Sequence, residues 1–503
     1  MAGLKSLAKD TVVYGLSSIV GRFFNYLLVP LHTAVFTAST GGYGVVTNMY
    51  AMTALWLVLL TFGMETGFFR FANKETENPQ RVYANTLYFV GGLSLLFALL
   101  CLIFLHPISV FLGYETHPEY IGMMAVVVAL DAFQCIPSAY LRYKNKAFKF
   151  AGVKLFNIFL NIVLNLFFLL ACPWLHTHFP ASVSWFYRPD YLVGYVFVAN
   201  LFCSAATLFC YLPELRVLWN REARFDSALL KQMLSYSFPM LILGLVGILN
   251  MTIDKQIYPF LFDSRNEAMV QLGIYGATSK VAMIMAMFTQ AFRYAYEPFV
   301  FGKNRDADSK IVYAQAMKFF FIFACLAFLA VMFYMDILRY VVNRSYWSGL
   351  IVVPIVMLAE IFKGIYMNLS LWYKLTDETR WGAYFSIIGF VVILVMNITL
   401  VPRFGYMGSA WASVAGFGLI TVVSYVMGQK KYPIPYNLKQ LGVYALLTLL
   451  FFGISQLGIT RIGSMPVRLM LNTILLLLFV GHVIKHDMPL SQIPVINRFI
   501  PKK

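Results

Sequence analysis

Residues 82–105 read VYANTLYFVGGLSLLFALLCLIFL, with no charged side chain from Val82 to Leu105. A helix needs about 20 predominantly apolar residues to cross the hydrocarbon core of a bilayer, and this stretch supplies them. Thirteen other stretches read the same way, near 11–36, 43–66, 120–141, 151–172, 191–212, 236–260, 271–297, 312–335, 347–373, 381–402, 407–428, 440–458 and 467–485. None of their connections is long enough for a folded soluble domain. The 503-residue chain is 60% hydrophobic and 12% charged, with mean hydropathy +0.72. A soluble domain carries about 25% charged residues. The sequence therefore predicts an all-α polytopic membrane protein of about fourteen transmembrane helices. The first stretch, led by Lys5 and Lys9, reads as a spanning helix rather than a cleavable signal, because no small-residue cleavage site follows a short apolar core.

The basic residues sort by loop. Alternate connections carry Arg70, Lys74, Arg81; Arg142, Lys144, Lys146, Lys149, Lys154; Arg216, Arg221, Arg224, Lys231; and further sets through Lys502 and Lys503. The opposite connections carry only Arg188, Arg265, Arg339, Arg344, Arg403, Arg461 and Arg468. By the positive-inside rule both termini are expected in the cytoplasm, with the chain multi-pass in the cytoplasmic (inner) membrane. The net charge of +17 is then an anchor on anionic lipid headgroups, and no nucleic-acid partner is implied. Cys101, Cys135, Cys172, Cys203, Cys210 and Cys325 lie in or beside apolar runs without a CxxC spacing, and read as packing residues.

An internal repeat is legible. Gly42-Tyr43-Gly44 opens the second stretch and Gly273-Ile274-Tyr275-Gly276 the eighth. The offset from Tyr43 to Tyr275 also carries Glu65 onto Glu297 and Arg22 onto Asp254. At nearly the same offset, Leu141-Arg142-Tyr143-Lys144 matches Leu371-Trp372-Tyr373-Lys374. Six spans per copy make the copies parallel repeats, which place a cavity near the midplane. The expected organisation is an N-terminal six-helix lobe over 1–220, a C-terminal six-helix lobe over 221–430, and two additional helices with a short cytoplasmic tail over 431–503.

The stretch Asn397-Ile398-Thr399-Leu400-Val401-Pro402-Arg403-Phe404-Gly405-Tyr406-Met407-Gly408-Ser409-Ala410-Trp411-Ala412-Ser413 resembles the N-x-x-L-x-P-x-[YF]-G-x-x-G-[AS]-A-x-A-[ST] pattern of polysaccharide-biosynthesis (O-antigen) flippases, members of the multidrug/oligosaccharidyl-lipid/polysaccharide exporter superfamily. The Gly-Tyr-Gly opening at 42–44 is similar too. The resemblance implies two lobes working by alternating access on a polyprenyl-diphosphate-linked oligosaccharide, moved from inner to outer leaflet for surface polysaccharide assembly. It also implies a lipid-tail groove beside the last two helices, and partners among membrane lipids, a glycan polymerase and other assembly proteins.

Five basic side chains stand inside apolar stretches: Arg22, Lys255, Lys280, Arg293 and Lys363. Each costs about 2.5–3.5 kcal/mol or more at a bilayer centre, which marks them as functional or paired. A diphosphate brings about two negative charges that cationic side chains suit. The expected substrate-binding residues are Arg22 with its neighbour Asn25, Lys280, Arg293 and Lys363. Each has a plainer reading. Arg22 can pair with Asp254, Arg293 can reach the interface, and Lys363 can be neutralised by Glu360 three residues away on the same face. Asp254 is the cavity member of its pair, and Lys255 an interfacial anchor. Asp131, alone in its span, is expected either to carry a coupling proton or Na⁺ or to make a polar contact with Gln134. Glu65 and Glu297, at matching span ends, suggest a gate closed on Arg70 or Arg293. Pro30 should bend the first helix.

His176 and His178 lack a carboxylate at metal spacing, and no cofactor or metal site is implied. No Walker A motif or nucleophile elbow is present, so a transporter rather than an enzyme is expected. The alternatives are a flippase for the lipid-linked peptidoglycan precursor and a cation-coupled drug exporter of the same superfamily. An integral-membrane polymerase or acyltransferase would need a catalytic constellation that the longest outer connection, near 173–190, does not offer.

Overall fold

A computed structural model describes residue 24 and residues 26–220, 222–303, 309–376 and 378–487, with side chains 295 and 297–303 excepted. Among the described residues, thirteen helices are long and apolar enough to cross a membrane. They coincide with the second to fourteenth stretches read from the sequence. The first stretch is described only from residue 24 onward and stands outside that number. Arg22 and Asn25 lie outside the described residues, as does the side chain of Glu297.

Local chemistry sets the helix ends. Asn78 accepts from the backbone N–H of Gln80 and is followed by Pro79, which opens the Pro79–Ile103 helix at a position where the backbone N–H it lacks is not needed. Asp226 accepts from the backbone N–H groups of Ala228 and Leu229 and starts Ser227–Gln256. Breaks follow prolines and left-handed residues. Regular helix in the first stretch resumes at Leu28 after a turn at Leu27, just before Pro30, whose nitrogen cannot donate back to Tyr26. Phe167–Ala171 widens into a π turn directly ahead of Pro173. The span Gly42–Ala72 breaks at Phe62 and Gly63, both at positive φ (52° and 68°), into Gly42–Thr61 and Met64–Ala72. Packed on that joint is the Ser227–Gln256 helix, which runs unbroken through Pro239. A Cβ at Gly63 would stand 3.0 Å from Met240 Cβ and from the Ser237 carbonyl oxygen.

The helices form two compact units. The first runs up to Ala277 and includes Ile393–Ser409; the second comprises Thr278–Val392 and the chain from Ala410 onward. Ser227–Gln256 packs along Gly42–Thr61 and Met64–Ala72, which draws it into the first unit although it follows the 220/221 boundary of the sequence repeat. The first unit's core is built on Phe68, Tyr83, Tyr140, Val128 and Met233, with Tyr83 and Tyr140 stacked at 4.2 Å. The second unit has an aromatic cluster of Trp372, Tyr373 and Phe385. Large apolar side chains also cover the outside: Leu95, Leu96, Ile103, Leu446, Leu449, Leu477 and Leu478 are all exposed. Water would not tolerate such a surface, whereas lipid does.

The repeat glycines have a packing role. A Cβ on Gly44 would lie 1.9 Å from the Met269 carbonyl oxygen, and one on Gly276 would lie 2.5 Å from Thr47 Oγ1. Gly42–Thr61 and the helix beginning at Arg265 therefore approach at contact distance, each glycine making room for a residue of the other helix.

Candidate functional site

In the first unit several ionisable residues are paired with one another. Glu65, on Met64–Ala72, pairs with Arg142 near the end of Pro118–Tyr143 and accepts from Cys135 Sγ at 3.0 Å. Arg70, one of the two partners expected for the gate, stacks instead over the Tyr236 ring at 4.0 Å from the centroid. Its position further along the short helix turns it away from Glu65 and toward the Ser227–Gln256 helix. The repeat position matching Arg142 is Trp372, buried in the second unit's aromatic cluster, so the ion pair of one copy is replaced by aromatic packing in the other. Lys149 reaches both oxygens of Glu214, at 2.7 and 2.6 Å, and Glu214 is only 5% exposed.

Asp131 accepts from Ser204 Oγ at 2.7 Å, and Gln134 donates to the Ser204 carbonyl at 2.9 Å. The two residues thus share Ser204 on the Leu192–Leu215 helix. From there a polar stripe runs along Ala147–Leu166. Asn157 donates to Thr207 Oγ1 (2.8 Å), Asn161 donates to Asn200 (3.0 Å), and Asn165 donates to Asn161 Oδ1 (2.7 Å). His32 joins Asn165 at 2.8 Å, and Asn200 donates to Tyr50 at 2.8 Å. The three asparagines recur every fourth residue, one helical turn apart, so they share a face. Sequence reasoning missed this stripe; the run FNIFLNIVLNL over 156–166 carried its signal. Chemically, it offers amide and hydroxyl groups but no net charge apart from Asp131.

Asp254 is buried. Lys255 Nζ stands 2.8 Å from each of its oxygens, and Tyr275 OH donates to it at 2.9 Å. Adjacent residues on a helix diverge by about 100°, but the four-carbon lysine stem curls back to the preceding carboxylate. Asn48 donates to the Lys255 carbonyl at 2.8 Å.

In the second unit, Lys363 Nζ lies 2.9 and 3.0 Å from the Glu360 oxygens, and both side chains are half-buried. The two form a self-neutralising pair one turn apart, beside the ring of Phe417. Lys280 is half-buried on the Arg265–Lys303 helix, and Arg293 lies further along it. At the end of the last helix, Asp487 receives Lys318 at 2.9 Å together with Tyr444 and Gln440. Burial alone would raise the Asp487 carboxyl, but hydrogen bonds from Tyr444, Lys318 and Gln440 outweigh it and hold the group below its ordinary value.

The residues near 397–413 close a helix hairpin. Gly405, at φ +55°, turns the chain between Arg380–Phe404 and Tyr406–Lys431. Gly408 lets the two arms of the hairpin touch, since a Cβ there would meet the Leu400 carbonyl carbon at 2.7 Å. Ser409 donates to Asn397 Oδ1 at 2.7 Å and meets Tyr258 OH at 2.9 Å. These motif residues hold the hairpin together.

A sequence model described as polysaccharide biosynthesis protein matches residues 7–295. No match is found among curated proteins. Among solved structures, the lipid II flippase MurJ in an inward closed conformation has a TM-score of 0.69 at 13% identity, covering 95% of this chain and 99% of that one. An inward-facing multidrug resistance MATE family transporter of the MOP superfamily gives 0.59 at 13% identity, with coverage of 87% and 99%. An outward-facing conformation of a multidrug resistance MATE family transporter of the same superfamily gives 0.55 at 14% identity, with coverage of 84% and 95%. The chain has the multi-pass, all-helical fold of these transporters.

Proposed function

Because the chain belongs to the polysaccharide biosynthesis protein family, we propose that it flips a polyprenyl-diphosphate-linked oligosaccharide from the inner to the outer leaflet of the cytoplasmic membrane, by alternating access. The family match carries this reading, and the likeness of fold to transporters supports it. Both termini are cytoplasmic in this reading, and the chain is a transporter rather than a catalyst. Its product serves O-antigen, capsule or exopolysaccharide assembly alongside a glycan polymerase. Arg22, Asn25, Lys280, Arg293 and Lys363 receive the diphosphate. Lys363 is delivered by Glu360, which either yields its partner to the incoming phosphate oxygens or takes a coupling proton. Asp131 and Asp254 are the other candidates for ion coupling, and Glu65 and Glu297 for a gate. An inside-negative potential favours outward movement of an anion by about 2.3 kcal/mol per charge per 100 mV, which supplies direction.

A second reading has its own support. The similarity to the lipid II flippase spans nearly the whole chain, so lipid-linked peptidoglycan precursor is the alternative cargo. The test is the leaflet distribution of lipid-linked glycan and of lipid II in cells lacking the protein, and in cells carrying Lys280→Ala/Lys363→Ala. Inner-leaflet build-up of the glycan alone is the expected result. Build-up of lipid II alone selects the second reading, and build-up of neither overturns both.

A further inference from the structure

The first unit contains an apolar cavity of about 730 Å³, within the size range of small-molecule pockets. It is lined chiefly by Met49, Trp56, Phe97, Leu100, Phe104 and Met124, from three helices and the short Leu105–Leu112 segment that joins two of them. Its few polar side chains are occupied or weak. Thr53 donates to the Met49 carbonyl (2.8 Å), Tyr114 donates to Asn48 Oδ1 (2.9 Å), and Cys101 is a free thiol. Such a lining gives a sugar no partner and gives water too few. It suits hydrocarbon.

The rim adds a charge. After Leu112 the chain turns through Gly113 at φ +71°, and Arg265 lies against that glycine: a Cβ there would stand 3.2 Å from Arg265 Cζ. The guanidinium sits 4.3 Å above the ring of Tyr114, a cavity-lining residue. Among the described residues Arg265 has no carboxylate partner, and its Nη2 is buried without an acceptor. A half-buried guanidinium without a carboxylate partner is costly, and an anionic oxygen at the rim would neutralise it. Pro79–Ile103 also exposes Leu95, Leu96 and Leu99, so bilayer lipid stands beside the cavity.

We propose that this cavity is a lipid site that holds one acyl chain of an anionic glycerophospholipid, with the phosphate on Arg265. Its volume matches a single acyl chain rather than a tail of many isoprene units, and the site stands apart from whichever glycan the protein carries. The occupant is argued from charge complementarity at the rim and from the apolar lining behind it.

The test uses full-length protein purified in mild detergent, with intact-protein mass spectrometry of the lipid that remains bound. Delipidated protein is then titrated with phosphatidylglycerol or with diacylglycerol of the same chains. Wild type is expected to retain a phospholipid and to bind phosphatidylglycerol at least about tenfold more tightly than diacylglycerol, since a charge-assisted contact at the rim is made by one and not the other. Arg265→Gln should abolish that preference, and Ala125→Phe, which fills the cavity, should abolish both interactions. A variant keeping Cys101 as its one cysteine provides a readout independent of how well the cavity-filled chain folds: alkylation of Cys101 should slow severalfold when phosphatidylglycerol is added. Equal retention in wild type and Arg265→Gln, no protection of Cys101, or a polyprenyl phosphate as the retained species would each overturn the proposal.

Discussion

At the scale of single residues, charge inside this protein is mostly spoken for. Lys149 and Glu214 are the clearest pair, because the carboxylate is almost fully enclosed. Lys149→Met strands it and should lower stability by about 2–3 kcal/mol, less than the ~3–5 of a wholly buried pair because Lys149 is a third exposed. Thermal unfolding in detergent measures this, and Lys149→Met/Glu214→Leu should recover most of the loss. A single variant as stable as wild type would show that the pair is not structural. Sequence reading identified Glu360 and Lys363 as neighbours because helix geometry alone brings them together. It could not find Arg142 as the partner of Glu65, or Ser204 between Asp131 and Gln134. Those contacts join residues far apart in the chain, and only packing decides them. The asparagine stripe was legible in its four-residue spacing, but its partners His32, Asn200 and Thr207 were not.

At the scale of elements, hydropathy located the spans because the bilayer imposes a length and a composition that few other structures share. Where the spans bend was less visible. Pro30 announces a bend and Phe62 in the left-handed region does not, while Ser227–Gln256 runs through Pro239 without a break. The glycine crossings give a sharp contrast. Gly44→Ala sets a Cβ against the backbone of Met269 and should cost about 1–3 kcal/mol or more, read as loss of monodisperse protein in size-exclusion chromatography. Gly92, in the middle of Pro79–Ile103, has nothing within 4 Å of where a Cβ would stand. Gly92→Ala should leave stability unchanged or raise it by up to about 1 kcal/mol. If the two variants behaved alike, the crossing would not be a tight contact.

At the scale of the whole molecule, acid should loosen one end of the second unit before the rest. Asp487 ties Lys318, Gln440 and Tyr444 together. Its folded-state pKa lies below the ordinary aspartate value of about 3.9, so its contribution is complete above that value and is lost as pH falls through the lower folded one. Limited proteolysis between about pH 6 and about pH 3, a window that brackets the ordinary carboxylate range, should show the C-terminal helices of wild type becoming cleavable toward the acid end. Asp487→Asn should be cleavable throughout, with little pH dependence; a wild-type acid response in Asp487→Asn would assign the effect elsewhere. The joint at Phe62–Gly63 has a mechanical meaning. Two left-handed residues interrupt the backbone ladder that makes a helix a rigid shaft, so Gly42–Thr61 and Met64–Ala72 are not one continuous rod. A turn of Gly42–Thr61 about this joint would leave Met64–Ala72 in place, held through Glu65 to Arg142, so that a single span combines bearing and anchor.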